Sequence, residues 1–257
     1  MCAMSADRLQ LALQEVSAGL APVPPPETIF VGDGDYLAIG AEFLRYFVDV
    51  GGLKPDDSVL DMGSGIGRMA SGLGRYLDPA AGRYIGFDPV EAGVAWCRNA
   101  YAHKPNFHFE WADLYNEFYR PDGQVLATEF EFPCADASID FAIATSVFTH
   151  LYEPEIAAYL TQLSRTLKPE GRVFATAYLF EGSEPPKGGA AHLDFNLADP
   201  DYPHRWHVQG LPPLASVCFQ QAFFEEMFAM ALGRRPEIRK GRWQGGPGPW
   251  FQDLVLG

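Results

Sequence analysis

Apolar positions along the 257-residue chain follow two spacings, and the switches between them predict alternating strands and helices. Short continuous apolar runs at 58–62, 83–87, 106–111, 139–147 and 172–180 predict buried strands. Helical spacing predicts helices over 67–77, 90–102 and 153–167. An earlier one spans 38–49, where Ile39, Phe43, Leu44, Phe47 and Val48 share a face. Strands that are apolar throughout belong to a parallel sheet covered on both faces, and right-handed crossovers make that sheet doubly wound. Residues 181–215 break the alternation. They are rich in Gly, Pro, Asp, His and aromatics with no clear period, as expected of a functional cover segment. A helix over 219–232 and strands over 237–243 and 250–256 follow, and the Gly-Gly-Pro-Gly turn at 245–248 reverses the last strand. The fold expected is α/β, a doubly wound, mostly parallel seven-stranded sheet with an antiparallel C-terminal strand. The proline-rich break at 21–26 sets residues 1–28 apart as an N-terminal appendage that helps to cover the substrate, and leaves one domain over 29–257.

Charge narrows the partners. A net charge of −14 opposes a phosphate backbone, whose affinity for proteins comes from Lys and Arg releasing counterions, and it repels an anionic membrane surface. The expected partner is a small molecule, with no nucleic acid and no membrane; a homodimer stays open. Cys2, Cys97, Cys134 and Cys218 lie far apart with no Cys-x-x-Cys pair, which suits a reducing compartment better than a zinc site or disulfide framework. With no signal-peptide-like apolar stretch near the start and no apolar run of membrane length, the expected location is the cytoplasm.

The strongest chemical signal is the run from Val59 to Gly67, an apolar strand leading through Gly63, Gly65 and Gly67 into a helix. Glycines let backbone approach a ligand closely, and a helix N-terminus offers free N–H groups, so a nucleotide-containing ligand is expected. Gly65-x-Gly67-x-x-Ala70 also satisfies a dinucleotide fingerprint, and Asp88 suits a ribose in either case. Asp61, two residues before Gly63, decides between them: a carboxylate there can order the ammonium of a methionine moiety but is unfavourable beside a pyrophosphate. Asp113, ending the third strand, could accept from an adenine amino group.

The ordered series Asp61-x-Gly63-x-Gly65-x-Gly67, Gly86-Phe-Asp88, Ala112-Asp113, Phe132 to Asp136 with Ile139-Asp-Phe141, and Leu167-Lys-Pro-Glu-Gly171 resembles the motifs of class I S-adenosylmethionine-dependent methyltransferases over residues 28–180. Ser64, where many relatives carry Cys, is a small-for-small departure. Gly40-x-Glu42-Phe-Leu-Arg45, Gly51 to Pro55, Gly65 to Ala70 and Ser146 to Leu151 are similar to a bacterial group of small-molecule methyltransferases associated with sugar and secondary-metabolite tailoring. The resemblance implies S-adenosylmethionine as cofactor and S-adenosylhomocysteine as product. It implies Asp61, Gly63, Ser64, Gly65 and Gly67 for the amino-acid part, Asp88 for the ribose and Asp113 for the adenine, with Pro89, Leu114, Thr145 and Phe148 beside them.

Methyl transfer from a sulfonium needs alignment from the protein, and an alcohol acceptor also needs its proton removed. His150, at the C-terminal end of the fourth strand where such sheets place their ligands, is the candidate base; the plainer alternative is a His packed on the next helix. In the cover segment, His192 and Asp194 are further catalytic candidates. His204-x-x-His207 with Asp194 reads as lid chemistry rather than a metal site, and no metal is expected. The function expected is O-methylation of a sugar or natural-product hydroxyl. The alternatives are N- or C-methylation of a small metabolite, or a non-catalytic S-adenosylmethionine-binding partner protein. A nicotinamide-dependent oxidoreductase ranks behind these, because no Tyr-x-x-x-Lys pair accompanies the glycines.

Overall fold

The computed structural model describes residues 3–186 and 193–257. A seven-stranded sheet in the order β10-β11-β5-β4-β1-β2-β3 forms its centre. The strands are β1 (Ser58–Met62), β2 (Arg83–Asp88), β3 (Phe107–Trp111), β4 (Ile139–Ala144), β5 (Leu167–Ala177), β10 (Glu237–Arg239) and β11 (Asp253–Leu256). The first five pair in parallel, whereas β11 runs antiparallel to both β5 and β10. This is the sheet the apolar runs predict. Alternate residues supply its two faces: Leu60 and Met62 of β1 point into one core, and Val59 into the other. A shift of register between Ile139 and Phe141 sends these two to opposite cores.

One face is covered by α1 (Ala3–Ser17), α2 (Tyr36–Asp49), α3 (Arg68–Tyr76) and α4 (Glu91–Ala100), whose buried side chains share a core. The other is covered by α5 (Glu153–Thr166) and α6 (Gln221–Leu232). Asp35 caps α2 by accepting from Ala38 N–H at 2.7 Å. The N-terminal helix packs against the body of the molecule. Leu9, Ala12, Leu13 and Val16 are buried, and Arg8 Nε donates to the Tyr76 carbonyl at 2.5 Å, fastening α1 to the end of α3. Between β3 and β4 the chain has no helix; residues 112–138 make two isolated bridges, and Leu114, Ala127 and Phe132 fill the core.

The segment without a sequence period supplies β7 (Leu197–Ala198) and β8 (Arg205–His207) to a second sheet, which β6 (Leu179–Phe180) and β9 (Val217–Gln220) on either side of it complete in the order β6-β9-β8-β7. Phe219 accordingly lies within a strand, and the helix begins at Gln221 rather than at 219. This cover has its own core of Tyr178, Phe180, Phe195, Cys218 and Trp243. Arg205 is wholly buried in it, ion-paired to Asp199 at 2.7 Å and lying over the Tyr152 ring. Asp253 joins cover to main sheet. Its Oδ2 accepts from Leu179 N–H and Trp243 Nε1–H, and its Oδ1 from Gly241 N–H and the Gln244 amide, all within 2.8 Å.

Candidate active site

The glycine turn after β1 is shaped by backbone that side chains disfavour. Gly63 and Gly65 have φ of +67° and +56°, and a Cβ on either would meet Val147 at 2.8 Å or Val31 at 2.7 Å. Above this turn opens a cavity of about 650 Å³ at the C-terminal ends of the parallel strands. Gly63, Ser64, Gly65, Asp88, Pro89, Leu114, Thr145 and His150 all line it.

Asp88 is nearly buried there. Its Oδ2 accepts from Gly65 N–H at 2.7 Å and its Oδ1 from Val90 N–H at 2.8 Å; burial nevertheless pushes the carboxyl up to about 6. Asp61 lies wholly buried under the turn, outside the lining. Its Oδ2 accepts from the Tyr84 hydroxyl at 2.6 Å, and burial, opposed by that bond, raises it to about 7. Gly67 starts α3 as its N-cap in the left-handed conformation, one step behind the cavity wall. Asp113 turns to Arg120, pairing with its Nε at 2.7 Å, and Phe148 is buried against Phe224. Neither lines the cavity.

His150 ends a 3₁₀ turn, Phe148–His150, that follows β4. Its Nδ1 sits 2.9 Å from the Leu214 carbonyl oxygen, and its Nε2 lies 3.4 Å from the Tyr119 hydroxyl. Of the other catalytic candidates, Asp194 is exposed beside Asn196 and does not line the cavity, and His192 lies outside the described residues. His204 stacks on Phe223 and bonds Gln220, whereas His207 faces Asp199.

Three features at the cavity escaped the sequence reading. Asn116 accepts from the N–H groups of Phe118 and Tyr119 and donates to the His150 carbonyl at 3.0 Å, tying an aromatic loop to the histidine turn. Ser146 holds φ +58°, a strained value for a non-glycine, with its N–H on Thr176 and its hydroxyl on Gln252. Arg68 Nη2 donates to the carbonyls of Val31 and Gly32, drawing that segment over the glycine turn. The only advance signals were an Asn two residues after Leu114 and the Val-Gly-Asp-Gly run; the partners lie too far off in sequence to be read.

Residues 60–175 match the family model described as a methyltransferase domain. Among solved structures, the chain is similar to the PH0226 protein of Pyrococcus horikoshii OT3 (13% identity, 90% of this chain and 94% of that one, TM-score 0.56). It is also similar to a 1,6-didemethyltoxoflavin-N1-methyltransferase of Burkholderia thailandensis (14%, 100% and 89%, TM-score 0.54). A third is phosphoethanolamine N-methyltransferase 1 of Haemonchus contortus (15%, 100% and 49%, TM-score 0.53). The chain spans about half the length of that last protein, and 52% of the YcgJ protein of Bacillus subtilis. At these identities the likeness is one of fold.

The residues present fit the donor such a domain uses. Among the described residues Asp61 Oδ1 and Ser64 Oγ are buried without a hydrogen-bond partner, as a site for a cationic amino-acid end would leave them. Arg68 is the only lysine or arginine among the described lining residues, and it is tied to backbone carbonyls, so nothing there is arranged for a pyrophosphate. Residues 60–175 are thus similar to a methyltransferase domain, they lie on a fold shared with these solved structures, and the groups around the cavity suit S-adenosylmethionine as the ligand.

Proposed function

We propose that the enzyme methylates a hydroxyl of a sugar or natural product, in the manner of the bacterial tailoring group its sequence resembles, with His150 as general base. The observation that carries this is the Leu214 carbonyl on Nδ1. A carbonyl can only accept, so Nδ1 bears the hydrogen and Nε2 keeps its lone pair for a hydroxyl on the cavity side. Burial lowers the ring below its ordinary 6.5, partly offset by the Leu214 bond, so it is neutral and basic at pH 7. The bound donor supplies an electrophilic methyl group; the protein aligns acceptor and base and takes the proton. Residues 29–257 serve as the methyltransferase domain. Residues 181–215 serve as acceptor cover, a role supported by Leu193, Leu211 and Ala215 in the cavity wall.

The test is the pH profile of turnover at saturating donor. The base works only when neutral, and its pKa is lowered, so activity should persist as pH falls through 6.5 and be lost below it. A half-maximum above pH 7 would reject the assignment.

In this reading Asp88 holds the ribose hydroxyls, with Asp61 and Ser64 at the amino-acid end. A carboxylate making two charge-assisted bonds contributes about 2 to 4 kcal/mol, so Asp88→Ala should bind S-adenosylhomocysteine roughly 30-fold more weakly or worse. Because Asp88 titrates near 6 rather than 3.8, wild-type affinity should decline as pH drops below about 6, where the carboxylate is neutralised. Calorimetry from pH 4.5 to 8 measures both. Undiminished affinity at pH 5, or a variant that binds as well as wild type, rejects the ribose role.

N-methylation is the second reading, favoured by the activities named for the Burkholderia and Haemonchus proteins and by a coclaurine N-methyltransferase of similar fold (12%, 91% and 65%, TM-score 0.52). A neutral amine attacks without prior loss of a proton, so that reading predicts little dependence on His150.

A further inference from the structure

The cavity is nearly without charge in a chain of net −14. Among the described residues only Arg68 and Asp88 bring charged groups to its lining, and both sit at the glycine turn, the donor's end: Arg68 donates to the Val31 and Gly32 carbonyls, and Asp88 accepts from two backbone N–H groups and, in the reading above, from the ribose hydroxyls. A carboxylate, phosphate or ammonium on the acceptor would be desolvated there without a counter-charge.

Several polar groups near His150 are also engaged within the protein. The Asn116 side chain makes all three of its bonds within the protein, the Thr149 hydroxyl donates to the Ser146 carbonyl, and Ser146 and Gln252 bond each other. A sugar ring would leave several hydroxyls unpaired against such a wall.

Aromatic surface, by contrast, is plentiful and left wet. Tyr115, Phe118, Tyr119 and Leu211 line the cavity while 37–47% exposed. The Phe118 ring lies parallel to the His150 ring at 6.0 Å between centroids, and Tyr119 meets it edge-on at 5.1 Å. The group on His150 Nε2 is itself a phenol, that of Tyr119.

We propose that the acceptor is an uncharged aromatic alcohol, its ring packed on Tyr115, Phe118 and Leu211 and its hydroxyl displacing that of Tyr119 from His150 Nε2. This rests on the base reading above. As the O–CH₃ bond forms, the methyl–sulfur bond breaks with its electron pair returning to sulfur, and the acceptor proton passes to Nε2.

The experiment is calorimetry on the enzyme saturated with S-adenosylhomocysteine, together with product mass spectrometry using S-adenosylmethionine. The probes are 2-naphthol, 6-hydroxy-2-naphthoate, 6-(aminomethyl)-2-naphthol, methyl β-glucoside and 1-aminonaphthalene. 2-Naphthol should bind at least about tenfold more tightly than the two charged naphthols or the glucoside. Tighter binding of any of those three, or none of 2-naphthol, overturns the inference. Methylated glucoside without naphthol binding would leave O-methylation standing and sink the aromatic acceptor. N-methylation of 1-aminonaphthalene, with 2-naphthol bound but unmethylated, would uphold the uncharged aromatic class and reject the base. Tyr119→Phe, which removes the competing hydroxyl, should lower KM for 2-naphthol about threefold; a raised KM would show that the tyrosine hydroxyl is not displaced.

Discussion

His150→Ala should lower turnover about 10²- to 10⁴-fold while leaving donor affinity within about twofold, the range that loss of a positioned general base produces. The split follows from the geometry. His150 meets the cavity beyond the glycine turn, its Nδ1 anchored by Leu214 and its Nε2 turned to a hydroxyl, that of Tyr119. His150→Gln is the control for packing, since its amide can still donate to the Leu214 carbonyl but cannot take a proton at neutral pH; it should be as slow as the alanine variant. Single-turnover rates and S-adenosylhomocysteine titration check this. Near-normal turnover by either variant would move the reading towards an amine or an already ionised acceptor.

Asp253→Ala should destabilise the fold by about 3 to 5 kcal/mol, a large part of what holds an ordinary domain together. Asp253 is wholly buried and receives four hydrogen bonds, from Leu179, Gly241, Trp243 and Gln244. Truncation leaves the Leu179, Gly241 and Trp243 donors without acceptors in an interior that water does not reach, while the half-buried Gln244 amide keeps the Leu179 carbonyl. Asp253→Asn keeps the shape but sets an NH₂ group against N–H donors, and should recover less than half of the loss. Urea denaturation midpoints give the comparison. A loss under 1 kcal/mol for the alanine variant would mean that the cover sheet is joined to the main sheet by other contacts.

The parts of the molecule legible in the sequence are those whose signals are long or local. The five parallel strands and the glycine turn were readable because strands of five or more residues leave either largely apolar runs or, in β3, Phe107, Phe109 and Trp111 alternating with polar residues, and because Gly63 and Gly65 mark positions that only small residues tolerate. The second sheet was not. Its strands are two to four residues long, shorter than the window over which alternation can be recognised. The 1–28 segment read as an appendage because its prolines are local signals, whereas the packing of Leu13 and Val16 on the body is not. His150 could be placed at a strand end, but its anchor lies 64 residues downstream, and the loop carrying Tyr119 is held to it by Asn116 across 34. Such pairings depend on the fold being complete.

The separation of the cavity wall into distant chain segments bears on how such an enzyme changes its substrate over evolutionary time. The donor end is assembled from the tips of the parallel strands, where a substitution disturbs sheet and cofactor together. In the reading proposed above, the acceptor end is assembled from the 115–119 loop, the turn at His150 and the stretch from Leu211 to Ser216, which hang outside the sheet. A lineage can replace the loop or the stretch wholesale and inherit the methyl-transfer machinery intact, so acceptor specificity is free to drift between close relatives while the donor site stays nearly still.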